Sequence, residues 1–326
     1  MNEQWKKAVI HLECAADSKS RDDLDKQFNE LREKLTKGEI SHEEYLESEY
    51  YRTRDMRYHG TAIFFLHNKR RYLLTARHVL FDKHSSAREF EEHTREFKEK
   101  SGENYEYFCK KAANQIFRII FRVPSLDEAL LGVDVNSQEF LMNLNAGPMD
   151  MQPYTFSSPE FDLAIISLDS RDSGFADGLI KLGYSPISSD LISDTPSSEG
   201  VEVFTVGYPS ATSLLAQIPQ TRAIANWSAG YLSLPVFSWG KVSMMSPYLP
   251  FYWCDMSIYP GNSGGPVVEN GKLVGIVSAQ ASVPVEGVPQ SRARIPFGKI
   301  IKAGFIKGLI EEQESKDKKN DERNAR

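Results

Sequence analysis

Pro260-Gly261-Asn262-Ser263-Gly264-Gly265-Pro266 carries the reading of this chain. A serine hydroxyl is a poor nucleophile unless it is held exposed beside a base. Flanking glycines permit a tight bend and leave room for a substrate carbonyl. Such a bend can also aim two backbone N–H groups at one point, and those of Gly261 and Ser263 are the pair that would receive a developing oxyanion. On local composition alone the same residues are equally a glycine-rich turn before a strand. The surroundings therefore have to supply a base and a carboxylate.

Downstream, Lys272-Leu273-Val274-Gly275-Ile276-Val277-Ser278 reads as a strand. Asn270-Gly271 before it signals a hairpin, because both residues tolerate φ > 0. Upstream, His78 ends the run Leu73-Leu74-Thr75-Ala76-Arg77-His78, which returns antiparallel from a strand over 60–66 through a turn at 67–70. A histidine at a strand end can serve as general base near neutral pH; its plainer role is that of a core-edge residue. Of the other six histidines, His59 is the nearest rival because it also precedes a strand. His11, His42, His67, His84 and His93 fall in an early strand, helical stretches or a turn. Asp162 interrupts the apolar run Phe161-Asp162-Leu163-Ala164-Ile165-Ile166. A buried carboxylate is costly unless paired, and orienting an imidazole is one reason to keep it. Capping the start of the strand is the other.

Together these fragments resemble the trypsin-like (chymotrypsin-fold) serine peptidases, and within them the bacterial, disulfide-free branch that includes the protease part of the HtrA proteins. Gly60-Thr61-Ala62 with Leu74-Thr75-Ala76-Arg77-His78-Val79, then Phe161-Asp162-Leu163-Ala164-Ile165, Val206-Gly207-Tyr208-Pro209 and the Ser263 loop resemble the family's motifs in the family's order of His, Asp and Ser. The resemblance implies an all-β core of two six-stranded antiparallel Greek-key β-barrels, here with helical insertions and a C-terminal helix. It implies Ser263 as nucleophile, His78 as base, Asp162 as the group that orients His78, and the N–H groups of Gly261 and Ser263 as oxyanion hole. It further implies a substrate pocket built from Ser257, Ile258, Ser278, Ala279 and Gln280. No carboxylate falls at the pocket-base position, Ser257, so small-to-medium apolar residues are expected before the cut rather than Lys or Arg. Asp255 is the nearest acid. Two departures stand out. Arg77 occupies a place where the family often has a small residue, and its charge must point away from the imidazole. Asn262 precedes the nucleophile where secreted members carry an aspartate, so activation by a freed N-terminus is not implied.

The chain of 326 residues has length for two modules plus insertions. The first is expected over 1–182, with helical insertions near 17–56 and 84–118. The second covers 183–310 and ends in a helix, and 311–326 is a charged tail expected to fray. A net charge of -6 argues against a nucleic-acid protein. Three cysteines form no disulfide framework, which points to a reducing compartment and a cytoplasmic protein. His/Cys zinc spacing is absent, so neither metal nor cofactor is expected. No apolar run is long enough for a signal core or a membrane span. The expected partners are a protein or peptide substrate and a regulatory protein at the helical insertions. Three other readings stand beside this one. One is an inactive trypsin-like fold that binds peptides. Another is an HtrA-like chaperone-protease, which is disfavoured because only a helix and tail follow Lys299, leaving no room for a PDZ domain. The third is an esterase: residues 261–265 do satisfy G-x-S-x-G, but that fold places its histidine after its serine, and no histidine follows Ser263.

Overall fold

The structure is a computed structural model that describes residues 2–16, 21–45, 55–80, 118–124, 137–143, 155–158, 160–170, 173–209, 217–219, 231–287 and 291–325. A short helix, α1 (Asn2–Ala8), runs into β1 (Val9–Ala16). After α2 (Arg21–Thr36), β2 (Asp55–His67) and β3 (Arg70–Ala76) form a hairpin, and the one-turn helix α3 (Arg77–Leu80) follows at once. Asn68 and Lys69 occupy the turn with φ of 46° and 67°. A two-residue turn with both residues at positive φ has the twist that antiparallel strands need. Next come β4 (Arg118–Pro124), β5 (Ser137–Asn143), β6 (Thr155–Ser158), β7 (Leu163–Ser167), α4 (Ser173–Lys181) and β8 (Ile187–Ser188).

These strands make one sheet in the order β5-β4-β1-β2-β3-β7-β6, and β8 pairs parallel with the end of β2. The expectation of a six-stranded barrel here is overturned: this sheet has eight strands and is open. A barrel closes only when its two outermost strands hydrogen-bond to each other, and among the described residues β5 and β6 do not. Its strands β1, β2, β3 and β7 are instead covered on both faces. By the period-2 alternation of strands, Phe64, Leu73, Ala164 and Ile166 join α4 residues Ala176 and Leu179 in one apolar cluster. Their neighbours Ile63, Phe65, Tyr72, Leu74 and Ile165 face the other way, into a cluster shared with the second half of the chain.

That second half is the expected barrel. β9 (Glu202–Gly207), the small hairpin β10 (Gln217–Pro219) and β11 (Tyr231–Ser233), β12 (Val236–Met245), β13 (Phe251–Cys254), β14 (Pro266–Glu269), β15 (Lys272–Pro284) and β16 (Arg292–Lys302) follow in order. Six of them close as β12-β13-β16-β15-β14-β9, all pairs antiparallel. Asn270 and Gly271, at φ 47° and 79°, turn β14 into β15 where the sequence placed a hairpin. Val203, Val242, Tyr252, Cys254, Val267, Val277 and Ile300 fill the interior.

The expectation of a frayed tail from 311 is also overturned. Helix α5 (Phe305–Asn324) runs almost to the end, with Gln313 and Asp317 fully buried. Its last turns dock through polar groups. Asp317 accepts from Tyr72 Oη (3.2 Å), Ser167 Oγ (3.0 Å) and Gln313 Nε2 (2.9 Å). Within 17–56, α2 is followed by a break at Gly38 (φ 70°) and a helical turn over 42–45. Ser41 and Glu44 cap that turn reciprocally, Ser41 N–H donating to Glu44 (2.7 Å) and Glu44 N–H to Ser41 Oγ (3.1 Å). The helical insertion expected near 84–118 lies, up to residue 117, outside the described residues.

Candidate active site

The bend around Ser263 is held from both sides. Within it, Asn262 N–H donates to the Tyr259 carbonyl (3.0 Å) and Gly265 N–H to the Asn262 carbonyl (2.8 Å). Gly261 and Gly264 take φ of 99° and 87°, a region that side chains other than glycine's rarely enter. Across the molecule, β2 of the open sheet grips the same bend through Thr61. Its N–H donates to the Ser263 carbonyl (2.8 Å), and its Oγ1 donates to the Gly261 carbonyl (2.7 Å) while accepting from Tyr208 N–H (3.2 Å). A Cβ on Gly264 would stand 2.0 Å from the Thr61 carbonyl oxygen and 2.3 Å from Thr75 Oγ1. Only glycine permits so close an approach of loop to sheet. The main-chain N–H groups of Gly261 and Ser263 have no acceptor among the described residues.

His78 and Asp162 meet on the sheet side. His78 is the second residue of α3, so the helical turn lifts it out of β3. Its N–H donates to Asp162 Oδ1 (3.0 Å), and its Nδ1 lies 2.9 Å from Oδ2 and 3.1 Å from Oδ1. Asp162 sits in the turn that enters β7 at φ 54°, a left-handed conformation that aspartate and asparagine tolerate better than most residues. Arg77 N–H fixes the turn by donating to the Asp162 carbonyl (3.0 Å). Burial pushes the Asp162 carboxyl up, but its hydrogen bond and charge interaction with His78, followed by the hydrogen bond from Ser278, outweigh burial and hold it below the usual carboxylate range. Burial draws the Arg77 guanidinium below its ordinary value, against the opposing pull of Asp162.

Ser278 links the two sides. Its hydroxyl donates to Asp162 Oδ2 (2.6 Å), and its carbonyl accepts from Ser263 Oγ (3.3 Å). His78 and Asp162 are thus in direct contact, while Ser263 reaches them through Ser278. No hydrogen bond joins Ser263 to His78 among the described residues.

The other site residues divide. Ser257 and Ala279 are exposed. Ile258 is 2 % exposed and packs in the barrel core with its Cδ1 against Gly298. Gln280 is half-buried; its Nε2 donates to the Ile295 carbonyl (3.3 Å), and its Oε1 is buried without a partner. Asp255 is tied to β12, accepting from the Lys241 N–H. Two features escaped the sequence reading. One is the grip of Thr61; a small hydroxyl residue facing a glycine-rich loop was its only signal. The other is the hydroxyl of Ser278, read only as part of a pocket.

The family described as a trypsin-like peptidase domain matches residues 60–276, a span that holds His78, Asp162 and Ser263. No curated protein matches the sequence. Among solved structures the chain is similar to human heparin binding protein at 11% identity and a TM-score of 0.40, over 78% of this chain and 86% of that one. It is similar to the protease of tobacco vein mottling virus at 9% identity and a TM-score of 0.38, over 92% and 78%. A Glu endopeptidase aligns at 13% identity and a TM-score of 0.43, over 78% and 86%.

Proposed function

The chain belongs to the trypsin-like peptidase domain family, and on that premise we propose that it is a serine endopeptidase working through Ser263, His78 and Asp162. The observation that carries this reading is the hydrogen-bonded His78–Asp162 pair standing beside the glycine-bounded Ser263 bend. Catalysis requires the Ser263 hydroxyl to leave the Ser278 carbonyl and reach His78. His78 then takes the hydroxyl proton on Nε2 as Oγ attacks the scissile carbonyl carbon. Asp162, held ionised, accepts the Nδ1 proton's hydrogen bond and stabilises the imidazolium. The N–H groups of Gly261 and Ser263, which have no acceptor among the described residues, receive the oxyanion. Collapse of the tetrahedral intermediate passes the proton from His78 to the departing amine and leaves an acyl-enzyme, which water hydrolyses by the same steps.

The substrate is a protein or peptide, cut after a small-to-medium apolar residue. Ser257 offers no charge at the pocket base, and Asp255 is occupied by β12. Ser278, Ala279 and Gln280 supply the flanking strand, and Ser257 and Ile258 the run before Ser263. The motifs favour the disulfide-free bacterial branch, and the sparse cysteines, with Cys254 a free buried thiol, favour a reducing compartment such as the cytoplasm.

A second reading is a fold that binds peptides and cleaves only when a partner engages it. The Ser263 hydroxyl turned to Ser278 rather than His78 favours it. A fluorophosphonate probe separates the two. Labelling of the wild type but not of Ser263→Ala, together with cleavage of a peptide library after apolar residues, is expected. A folded wild type that never labels, alone or in lysate, would leave only the binding role.

A further inference from the structure

We propose that His11, Glu13 and His59 form a binding site for a divalent metal ion of the zinc class, on the β1–β2 ladder and outside the catalytic groups. Pleating brings the three residues together. His11 and Glu13 are two apart on β1 and so share a face, and His59 lies directly across from Glu13 in the antiparallel register. His59 Nδ1 is 3.2 Å from His11 Nε2, and His11 Nδ1 is 3.9 Å from Glu13 Oε1. One ligand atom from each residue can be chosen so that all lie within 4.8 Å of one another. Ligands about 2.0–2.2 Å from a tetrahedral zinc are about 3.3–3.6 Å apart. The imidazole pair has nearly that spacing through His11 Nε2, and with the Glu13 carboxylate the three ligand atoms, one from each residue, lie within 4.8 Å of one another.

The chemistry agrees with the spacing. Two imidazoles and one carboxylate are a donor set suited to zinc, with a fourth position left open. The rings are also fixed in place. His11 and His59 stack at 5.3 Å and 9°, and the Tyr208 ring backs His11 at 5.0 Å while its hydroxyl donates to the Val9 carbonyl (3.0 Å). His59 is half-buried and forms the solvent-facing side of the site. The ligands also hold β2 just before Gly60 and Thr61, so an ion there braces the strand that grips the Ser263 bend.

Zinc titrated calorimetrically into chelator-treated full-length His78→Ala tests this, because that variant removes the imidazole beside Asp162 and makes the readout independent of proteolysis. One ion per chain is expected, together with a rise in melting temperature. Adding His59→Gln should weaken binding by at least about 100-fold, beyond the 10–100-fold typical of groups that only support a ligand, and should abolish the thermal shift while the circular dichroism of the folded chain is kept. X-ray absorption at the zinc edge should find two imidazoles bound to the ion, which decides the matter if His59→Gln does not fold. Absence of one-to-one binding, affinity indifferent to His59→Gln, or fewer than two imidazoles around the ion overturns the site.

Discussion

Asp162 combines three demands in one residue. It holds a left-handed backbone, accepts two hydrogen bonds from His78 and one from Ser278, and stays ionised while mostly buried. Asparagine tolerates the same backbone but presents a neutral amide to the imidazole. If Asp162 orients His78 as proposed, Asp162→Asn should fold and lose kcat by roughly 10⁴ toward a peptide substrate, the scale at which a Ser-His-Asp triad fails with the wrong tautomer. The carboxyl is held below its ordinary 3.8 in the folded state. Its contribution to stability is thus complete above that pH and disappears as the pH falls through the lower folded value. Denaturant melts of wild type and Asp162→Asn should differ near neutrality and converge as the pH is lowered below 3.8. Gly264 is constrained by space as well as by φ. Gly264→Ala drives a methyl into the Thr61 carbonyl and should destabilise the fold by more than about 3 kcal/mol. An unchanged denaturation midpoint would show that the bend is not held as described.

At the scale of elements, α5 docks on the open sheet by two kinds of contact. Phe305 stacks on Phe161 at 4.0 Å, next to Asp162, and Ile306, Leu309 and Ile310 enter the shared apolar cluster. Two turns later Asp317 replaces apolar burial with three hydrogen bonds. Removing an acceptor and leaving its buried donors unsatisfied costs about 1–3 kcal/mol for each group. Asp317→Ala should accordingly lower stability by about 3 kcal/mol, and amide exchange should quicken first in the residues of α5 beyond Gln313. The 3.6-residue period announces the first half of this helix, because its contacts are apolar. The second half hides, because a buried aspartate among lysines and glutamates looks like solvent-facing charge.

Across the whole molecule, the candidate site exists only where barrel and sheet meet. The barrel contributes Ser263 and Ser278, and the sheet contributes His78, Asp162 and Thr61. Thr61 is the principal polar tie, satisfying the Gly261 carbonyl and Tyr208 N–H with one hydroxyl. Thr61→Val keeps the shape and orphans both, a loss of about 2–4 kcal/mol. Thr61→Ser should retain most of the stability. If valine and serine variants melt alike in denaturant, the hydroxyl does not join the two halves. The cores of both halves were legible, since unbroken apolar runs such as those of β3, β7 and β15 identify strands buried on both faces wherever they fall. Sheet closure was not legible, because such runs report that a strand is buried and are silent on whether the outermost strands meet.

Local chemistry determined the Ser263 bend, the Asn270–Gly271 hairpin and the Ser41–Glu44 cap, since each depends on residues within a few positions of one another. It also supplied three dispersed side chains whose order resembles a peptidase. The tertiary structure alone decided that one sheet stays open, that a charged C-terminal segment is a docked helix, that Ser278 turns its hydroxyl to Asp162, and that two histidines and a glutamate on paired strands face one another. Those outcomes depend on partners dozens to hundreds of residues away. Composition constrains how much a chain can bury, but the register of one strand against another selects which polar groups are buried together.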